Sequence, residues 1–295
     1  MRPPGKRIAR PLLAVLLIAC LALSLTACDP TPALAVKGSL IVRFLGVGQG
    51  DAILISLPDG GSMLIDAGPK KAGADVVSTI EDLGVKKLDY VVFTHPHEDH
   101  IGGALAVLKA FDVGQVVMPR TSHTTQTYED LLTAIAGKDL TITEAEAGKV
   151  LIEEDNLRAW LIGPGRTFED LNDMSAVLAL KYGDRTFLFE GDAGEEAEEA
   201  MTLSSSVQIP RTDVIKVAHH GSSSSSSKVF LELVSPTTAV ISVGAGNDYG
   251  HPTKEALDRL AAAGAKVYRT DLNGTVTVTT DGKTLSVTAE RTAGI

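Results

Sequence analysis

The chain has 295 residues, 44% of them apolar, with 27 Lys and Arg against 37 Asp and Glu for a formal net charge of −10. That apolar share can bury a core, which excludes a disordered or fibrous chain, and the length suits one large α/β unit. An acidic surface repels polyanions at long range, so bulk charge weighs against nucleic-acid binding through the surface as a whole.

Arg2, Lys6, Arg7 and Arg10 form a basic start, followed by an almost unbroken apolar run over 12–27. A bilayer-spanning helix needs roughly 18–20 apolar residues, so the pattern predicts an export signal over 1–27 rather than a spanning segment. The run ends in Leu25-Thr-Ala-Cys28, similar to a bacterial lipobox, in which the cysteine is lipidated and becomes the mature N-terminus. Leu17-Ile-Ala-Cys20 fits more loosely and would leave an apolar run of only about 8 residues, so Cys28 is preferred. Cleavage there leaves a single, acylated cysteine and no internal disulfide. It also removes the four positive charges of residues 1–27, taking the net charge from −10 to −14. The expectation is a chain outside the cytoplasm, held to the membrane by its lipid. A Pro-containing linker over 28–38 then leads to one folded domain over 39–295.

Within that domain the first half reads as strands at 39–45, 52–57 and 62–66, separated by Gly turns. A helix at 74–83 stops at Gly84, and a strand at 88–94 leads into a helix from Ile101. A strand at 113–118 and a helix at 128–136 follow. In the second half strands fit 157–162, 176–182, 186–190, 214–217, 239–243, 266–270, 274–280 and 284–288. Helices fit 194–203, 228–234 and 254–263. Mixed strand clusters and single helices predict two packed sheets with helices outside. The six serines 222–227 directly follow a histidine pair and read as a loop at a site rim. Glu195, Glu196, Glu198 and Glu199 read as a solvated helix face favoured by the N-terminal dipole.

The strongest chemical signal is His95, His97, Asp99 and His100, four candidate ligands within six positions at a strand-to-helix junction. Imidazole and carboxylate suit Zn²⁺ or Mn²⁺. On extended chain His95 and His97 share a face, while Asp99 and His100, past the turn, can face a second cation. Gly102 and Gly103 allow close approach of the helix start. Capping would explain one such residue, not four.

This segment resembles the HxHxDH signature of the metallo-β-lactamase fold. Five further stretches narrow the resemblance: Phe44-Leu-Gly-Val-Gly-Gln-Gly-Asp-Ala52, Leu64-Ile-Asp-Ala-Gly68, Phe187-Leu-Phe-Glu-Gly-Asp192, Lys216-Val-Ala-His-His-Gly-Ser222 and Asn247-Asp-Tyr-Gly-His-Pro252. In this order they are similar to the hydrolase domain of ComEC-type competence proteins, over nearly all of 39–290. The resemblance implies a single-domain αβ/βα four-layer sandwich with two divalent metals, Zn²⁺ or Mn²⁺, along one edge. It places His95 and His97 on the first metal, Asp99, His100 and His219 on the second, and Asp192 between them. His220 becomes a substrate-facing partner, His251 a donor to a phosphoryl oxygen, and Asp66 a buttress behind the ligands. Many relatives of this fold carry a further ligating His before the bridging Asp. Here Asn172 and Ser175 match the Asn-x-x-Ser that the ComEC-like group has instead, so water would complete the first metal. His123 fits no motif and reads as a solvated loop residue.

Two cations sharing one water would yield hydroxide at neutral pH for attack on phosphorus, with Asp99 orienting it. The implied activity is a phosphodiesterase or nuclease with DNA as substrate. The alternatives are a small envelope phosphodiester, as for phosphocholine esterases, a lactone or thioester, or a lipoprotein that binds without catalysis. A local basic patch drawn from Lys216, Lys228, Lys254 and Arg269 would have to offset the acidic whole.

Overall fold

The computed structural model describes residues 38–292 apart from Ser206, and near the start only Met1 and Gly5. Two compact units divide the chain, Met1–Pro32 and Ala33–Ile295. The basic start, the apolar run, Cys28 and the linker up to residue 37 lie outside the described residues.

In chain order the strands are β1 (Leu40–Phe44), β2 (Ile53–Ser56), β3 (Ser62–Ile65), β4 (Lys87–Val92), β5 (Asp112–Met118), β6 (Ile142–Glu144), β7 (Val150–Glu153) and β8 (Leu157–Leu161). They continue with β9 (Leu178–Tyr182), β10 (Arg185–Phe189), β11 (Val214–Lys216), β12 (Thr238–Ile241), β13 (Lys266–Arg269), β14 (Val276–Thr280) and β15 (Leu285–Ala289). They form an eight-stranded sheet, β15-β14-β1-β2-β3-β4-β5-β6, and a seven-stranded sheet, β13-β12-β11-β10-β9-β8-β7. Each sheet is mixed, antiparallel at one end and parallel at the other. The parallel runs are β3 to β6 in the first and β10 to β13 in the second.

Central strands are buried on both faces, and alternation sorts their side chains between layers. Ile53 and Ile55 of β2 join Phe44, Phe187 and Phe189 between the sheets. Leu54, between them in sequence, packs outward with Val76, Ile80, Ile101 and Val107. Those come from α1 (Gly73–Asp82), α2 (Glu98–Ile101) and α3 (Ala104–Ala110), which with α4 (Gln126–Gly137) cover the first sheet. The second sheet packs its outer face on α5 (Glu195–Leu203), α6 (Lys228–Val234) and α7 (Lys254–Ala262). A last short helix, α8, spans Thr270–Asn273. This is the expected αβ/βα four-layer sandwich.

Departures from the sequence-based expectations are local. The helix expected from Ile101 is two pieces, α2 and α3, parted at Gly102–Gly103. Strands β6 and β7 are not foreseen from the sequence pattern; both are half-exposed edge segments carrying Glu, the composition that blunts an edge and hides its periodicity. Glu198 is no solvated residue but is 1% exposed. It accepts hydrogen bonds from the Ser226 and Ser227 N–H groups, while Arg259 donates to the carbonyls of Ser223, Ser225 and Ser226. The serine run is thus an ordered loop clamped from two sides.

The Gly pair brings backbone segments close together. A Cβ on Gly103 would lie 2.2 Å from the Ala67 carbonyl oxygen and 3.0 Å from Gly73 Cα, both main chain that cannot swing aside. Gly103→Ala is expected to destabilise the fold by about 1–3 kcal/mol, as overpacking does. The urea midpoint should fall with unchanged slope; an unaltered midpoint would show that the 67–69 turn yields freely.

Candidate metal centre

Ligands in parallel α/β sheets collect beyond the carboxyl ends of strands. Here Asp66 follows β3, Thr94 and His95 follow β4, Asp192 follows β10, and the His219–His220 pair follows β11. Two sheets thus aim their strand ends at one place.

His100 is held most firmly. It is fully buried, its Nδ1 lies 2.7 Å from Asp66 Oδ2 and its Nε2 3.3 Å from Asp192 Oδ1. Asp66 sits in the left-handed region at φ 55°. Its carboxylate also accepts from the Thr94 N–H at 2.8 Å and the Thr94 hydroxyl at 2.6 Å. It therefore ties the end of β4 to His100.

Asp99, His100, Asp192 and His220 bring one ligand atom each within 4.8 Å of one another. His220 Nε2 is 3.1 Å from Asp99 Oδ2 and 3.6 Å from Asp192 Oδ2. Its Nδ1 lies 2.8 Å from the Ser242 carbonyl oxygen, which sets Nδ1 as donor and leaves Nε2 toward the cluster. On the other side of Asp192, His95 Nε2 stands 3.7 Å from Oδ2. The His95 and His97 rings meet edge to face at 4.7 Å.

The expected division of the histidine pair is reversed in position. His220 is 1% exposed and belongs to the inner group. His219 is the more exposed, with Nε2 3.8 Å from Asp192 Oδ2 and its ring 5.6 Å from that of His251. Both residues adopt left-handed backbone, φ 47° and 54°, at a cost of roughly 1–2 kcal/mol each. The turn is stabilised by the His219 N–H bond to the Gly191 carbonyl at 3.1 Å. Ser175 steadies Asp192 by accepting its N–H at 3.0 Å, and Asn172 lines the cleft with a buried Oδ1 lacking a partner. His123 is half-buried rather than solvated, its ring 5.8 Å from that of His97.

Without cations the electrostatics are strained. Burial would raise Asp99 and Asp192, yet the His100 charge, helped by His220, holds both well below the usual carboxylate range. Burial lowers His95 and His97, with the neighbouring imidazoles adding to it. His100 resists its own burial and is raised well above its ordinary value by Asp192, Asp66 and Asp99.

Three residues missed in sequence complete the support. Lys216, expected in a surface patch, is instead fully buried, 2.6 Å from Asp51 Oδ2. Asp51 in turn reaches toward the Nδ1 edges of His220, at 3.6 Å, and His100, at 3.9 Å. Lys228, Lys254 and Arg269 do not form the patch either. They pair with Glu232, Asp258 and Asp271. Asn247 fixes the rim loop, accepting from the Tyr249 and His251 N–H groups and donating to the Gly244 and His251 carbonyls.

The cluster floors a cleft of about 900 Å³ whose rim includes Lys70, Lys71, Tyr249 and His251. Asp192 lines this cleft, His95 and His100 lie buried behind it, and among the described residues His95 Nε2, His100 Nε2 and Asp192 Oδ1 have no hydrogen-bond partners. Such convergent, unsatisfied nitrogen and carboxylate atoms fit divalent cations, and imidazoles held by carboxylate or carbonyl on the far nitrogen are the usual support for them. Asp66→Asn is expected to weaken metal binding by about 10- to 100-fold, as such support residues do. Calorimetric titration of the purified protein with Mn²⁺ or Zn²⁺ measures it, and unchanged affinity would remove Asp66 from this role.

Comparison with known proteins agrees with this geometry. The chain is 32% identical over 264 residues to ComE operon protein 3 of Bacillus subtilis, covering 83% of this chain and 33% of that protein. It is 31% identical over 229 residues to competence protein ComA of Neisseria gonorrhoeae, covering 77% and 30%. It therefore spans about a third of the length of these curated relatives. Among solved structures, Igni18, a metallo hydrolase from Ignicoccus hospitalis, matches with a TM-score of 0.52 at 20% identity, over 80% of this chain and 98% of that one. The family model described as the metallo-beta-lactamase superfamily matches residues 45–245, and the chain belongs to that superfamily.

Proposed function

We propose that this chain is a metal-dependent phosphodiesterase, anchored outside the cytoplasm by a lipidated Cys28, acting on DNA ahead of small phosphodiesters. The observation that carries the reading is the buried, unpartnered donor set at the floor of an accessible cleft. The similarity to competence protein ComA of Neisseria gonorrhoeae supports a nucleic-acid substrate.

His95, His97 and Asp192 would hold one cation, with His219 the further imidazole near the same carboxylate oxygen. Asp99, His100, His220 and Asp192 would hold the other, so Asp192 is shared. Two such cations supply Lewis acidity and lower the pKa of bound water from 15.7 toward about 7. The chain's own residues do the rest. Asp66 and the Ser242 carbonyl orient His100 and His220 with Nε2 toward the cluster. Asp99, hydrogen-bonded to His220, orients the attacking water. His251 lines the cleft outside the inner cluster and is assigned the proton delivered to the leaving oxygen.

Protein loaded with Mn²⁺ or Zn²⁺ is expected to hydrolyse bis-p-nitrophenyl phosphate and labelled DNA, and chelation to abolish both. Asp192→Ala should lose turnover together with most bound metal by elemental analysis. His251→Ala should keep the metal and lose about 10²–10⁴ in turnover. Hydrolysis of the small diester without DNA cleavage at low salt would leave an envelope phosphodiester as substrate, in keeping with the acidic net charge. Turnover confined to lactones or thioesters would reject the phosphodiesterase.

Cys28→Ser is expected to release the protein from the membrane fraction. Retention there, or a mature N-terminus elsewhere without acyl chains by mass spectrometry, would refute lipid anchoring.

A further inference from the structure

Tyr249 is 70% exposed, whereas every other Phe, Tyr and Trp is buried or half-buried. An exposed aromatic ring in an aromatic-poor chain is unusual enough to need an explanation. Its position offers one. The Tyr249 ring stacks on His251 at 5.8 Å between centroids and 18° between planes. His251 meets His219 at 5.6 Å, and His219 Nε2 lies 3.8 Å from Asp192 Oδ2. A ladder of rings thus runs from the metal-binding floor to the rim. Asn247 fixes the backbone beneath the two outer rings, its Oδ1 accepting from both the Tyr249 and the His251 N–H groups, at 3.1 and 3.0 Å.

The same cleft is lined by Lys70 and Lys71, which follow directly on the Asp66-Ala-Gly-Pro69 turn. Among the described residues neither ammonium makes an ion pair, unlike the exposed Lys228 and Lys254, which are paired within their own helices. Glu98, a lining carboxylate outside the inner cluster, is turned onto the Lys70 N–H at 2.7 Å. The rim therefore offers one flat π surface and two unengaged cations beside a phosphodiester-cleaving floor.

We infer that Tyr249, backed by His251, is a stacking platform for an unpaired nucleobase next to the cleaved phosphodiester, and that Lys70 and Lys71 receive the flanking phosphates. This rests on the phosphodiesterase reading and adds to it a preference for single-stranded nucleic acid. Bases within a duplex present no free face, whereas every unpaired base has one. The two lysines also supply the local positive charge that the acidic chain as a whole lacks.

The test is fluorescence anisotropy of metal-loaded protein with phosphorothioate-linked oligothymidine, the same strand carrying abasic positions, and a duplex. The ordinary single strand is expected to bind more tightly than either, and Tyr249→Ala to weaken it by on the order of 5- to 100-fold. The Ala variant should lose the distinction between base-bearing and abasic strands, and Tyr249→Trp should keep it. Replacing Lys70 and Lys71 with Ala should flatten the log–log salt dependence by about 0.7 for each phosphate no longer neutralised. Equal affinity for abasic and ordinary strands in the native protein, or unchanged binding in Tyr249→Ala, would overturn the platform. An unaltered salt slope would overturn the lysine assignment. Turnover of bis-p-nitrophenyl phosphate, measured in the native protein, judges the phosphodiesterase reading separately.

Discussion

The centre of this molecule is governed by the cost of burying carboxylates. Asp51, Asp66 and Asp192 are at most 2% exposed and crowd one seam between two sheets. Buried ionised groups persist only when paired and hydrogen-bonded. Asp66 is satisfied by Thr94 and His100 and Asp51 pairs with Lys216 through Oδ2, while among the described residues Oδ1 of Asp51 and Oδ1 of Asp192 have no hydrogen-bond partner. Burial lowers His100 and His220, but the surrounding carboxylates outweigh it and raise both above the ordinary imidazole value. Divalent cations would compensate the same carboxylates, and binding them would release protons.

The layers were legible because their cause is local. Strands buried on both faces read as continuous apolar runs, and amphipathic helices end at glycines such as Gly84 and Gly264. The histidine-rich segment was legible for the same reason, since four candidate ligands and a Gly pair fall within nine residues. What escaped was settled by partners far away in sequence. Nothing near Lys216 tells that Asp51, on another sheet's loop, neutralises it. Glu198 looks like its exposed neighbours until the serine loop folds over it. Which ring of His219–His220 is buried depends on two consecutive left-handed residues, which turn the second ring inward and leave the first more exposed. Sequence spacing carries no sign of that backbone choice.

That pair also shows how the site combines rigidity with access. Left-handed conformation at two histidines is unfavourable on its own and persists only because the surroundings fix it. The anchor at the Gly191 carbonyl joins this turn to the Asp192 turn, itself at positive φ through Gly191. One side of the centre is therefore a preassembled unit of two turns, whereas the rim beyond it is a loop held by a single asparagine side chain.

The position of Gly38 has a consequence for orientation. Its N–H bonds the Pro58 carbonyl in the β2–β3 turn, and its own carbonyl accepts from the Tyr182 hydroxyl. Strand β1 then runs from there toward Asp51, so the described domain begins at the edge opposite the cleft, about one strand length away. Whatever segment precedes Gly38 joins the fold on its blind side. The cleft therefore opens on the side of the fold remote from Gly38.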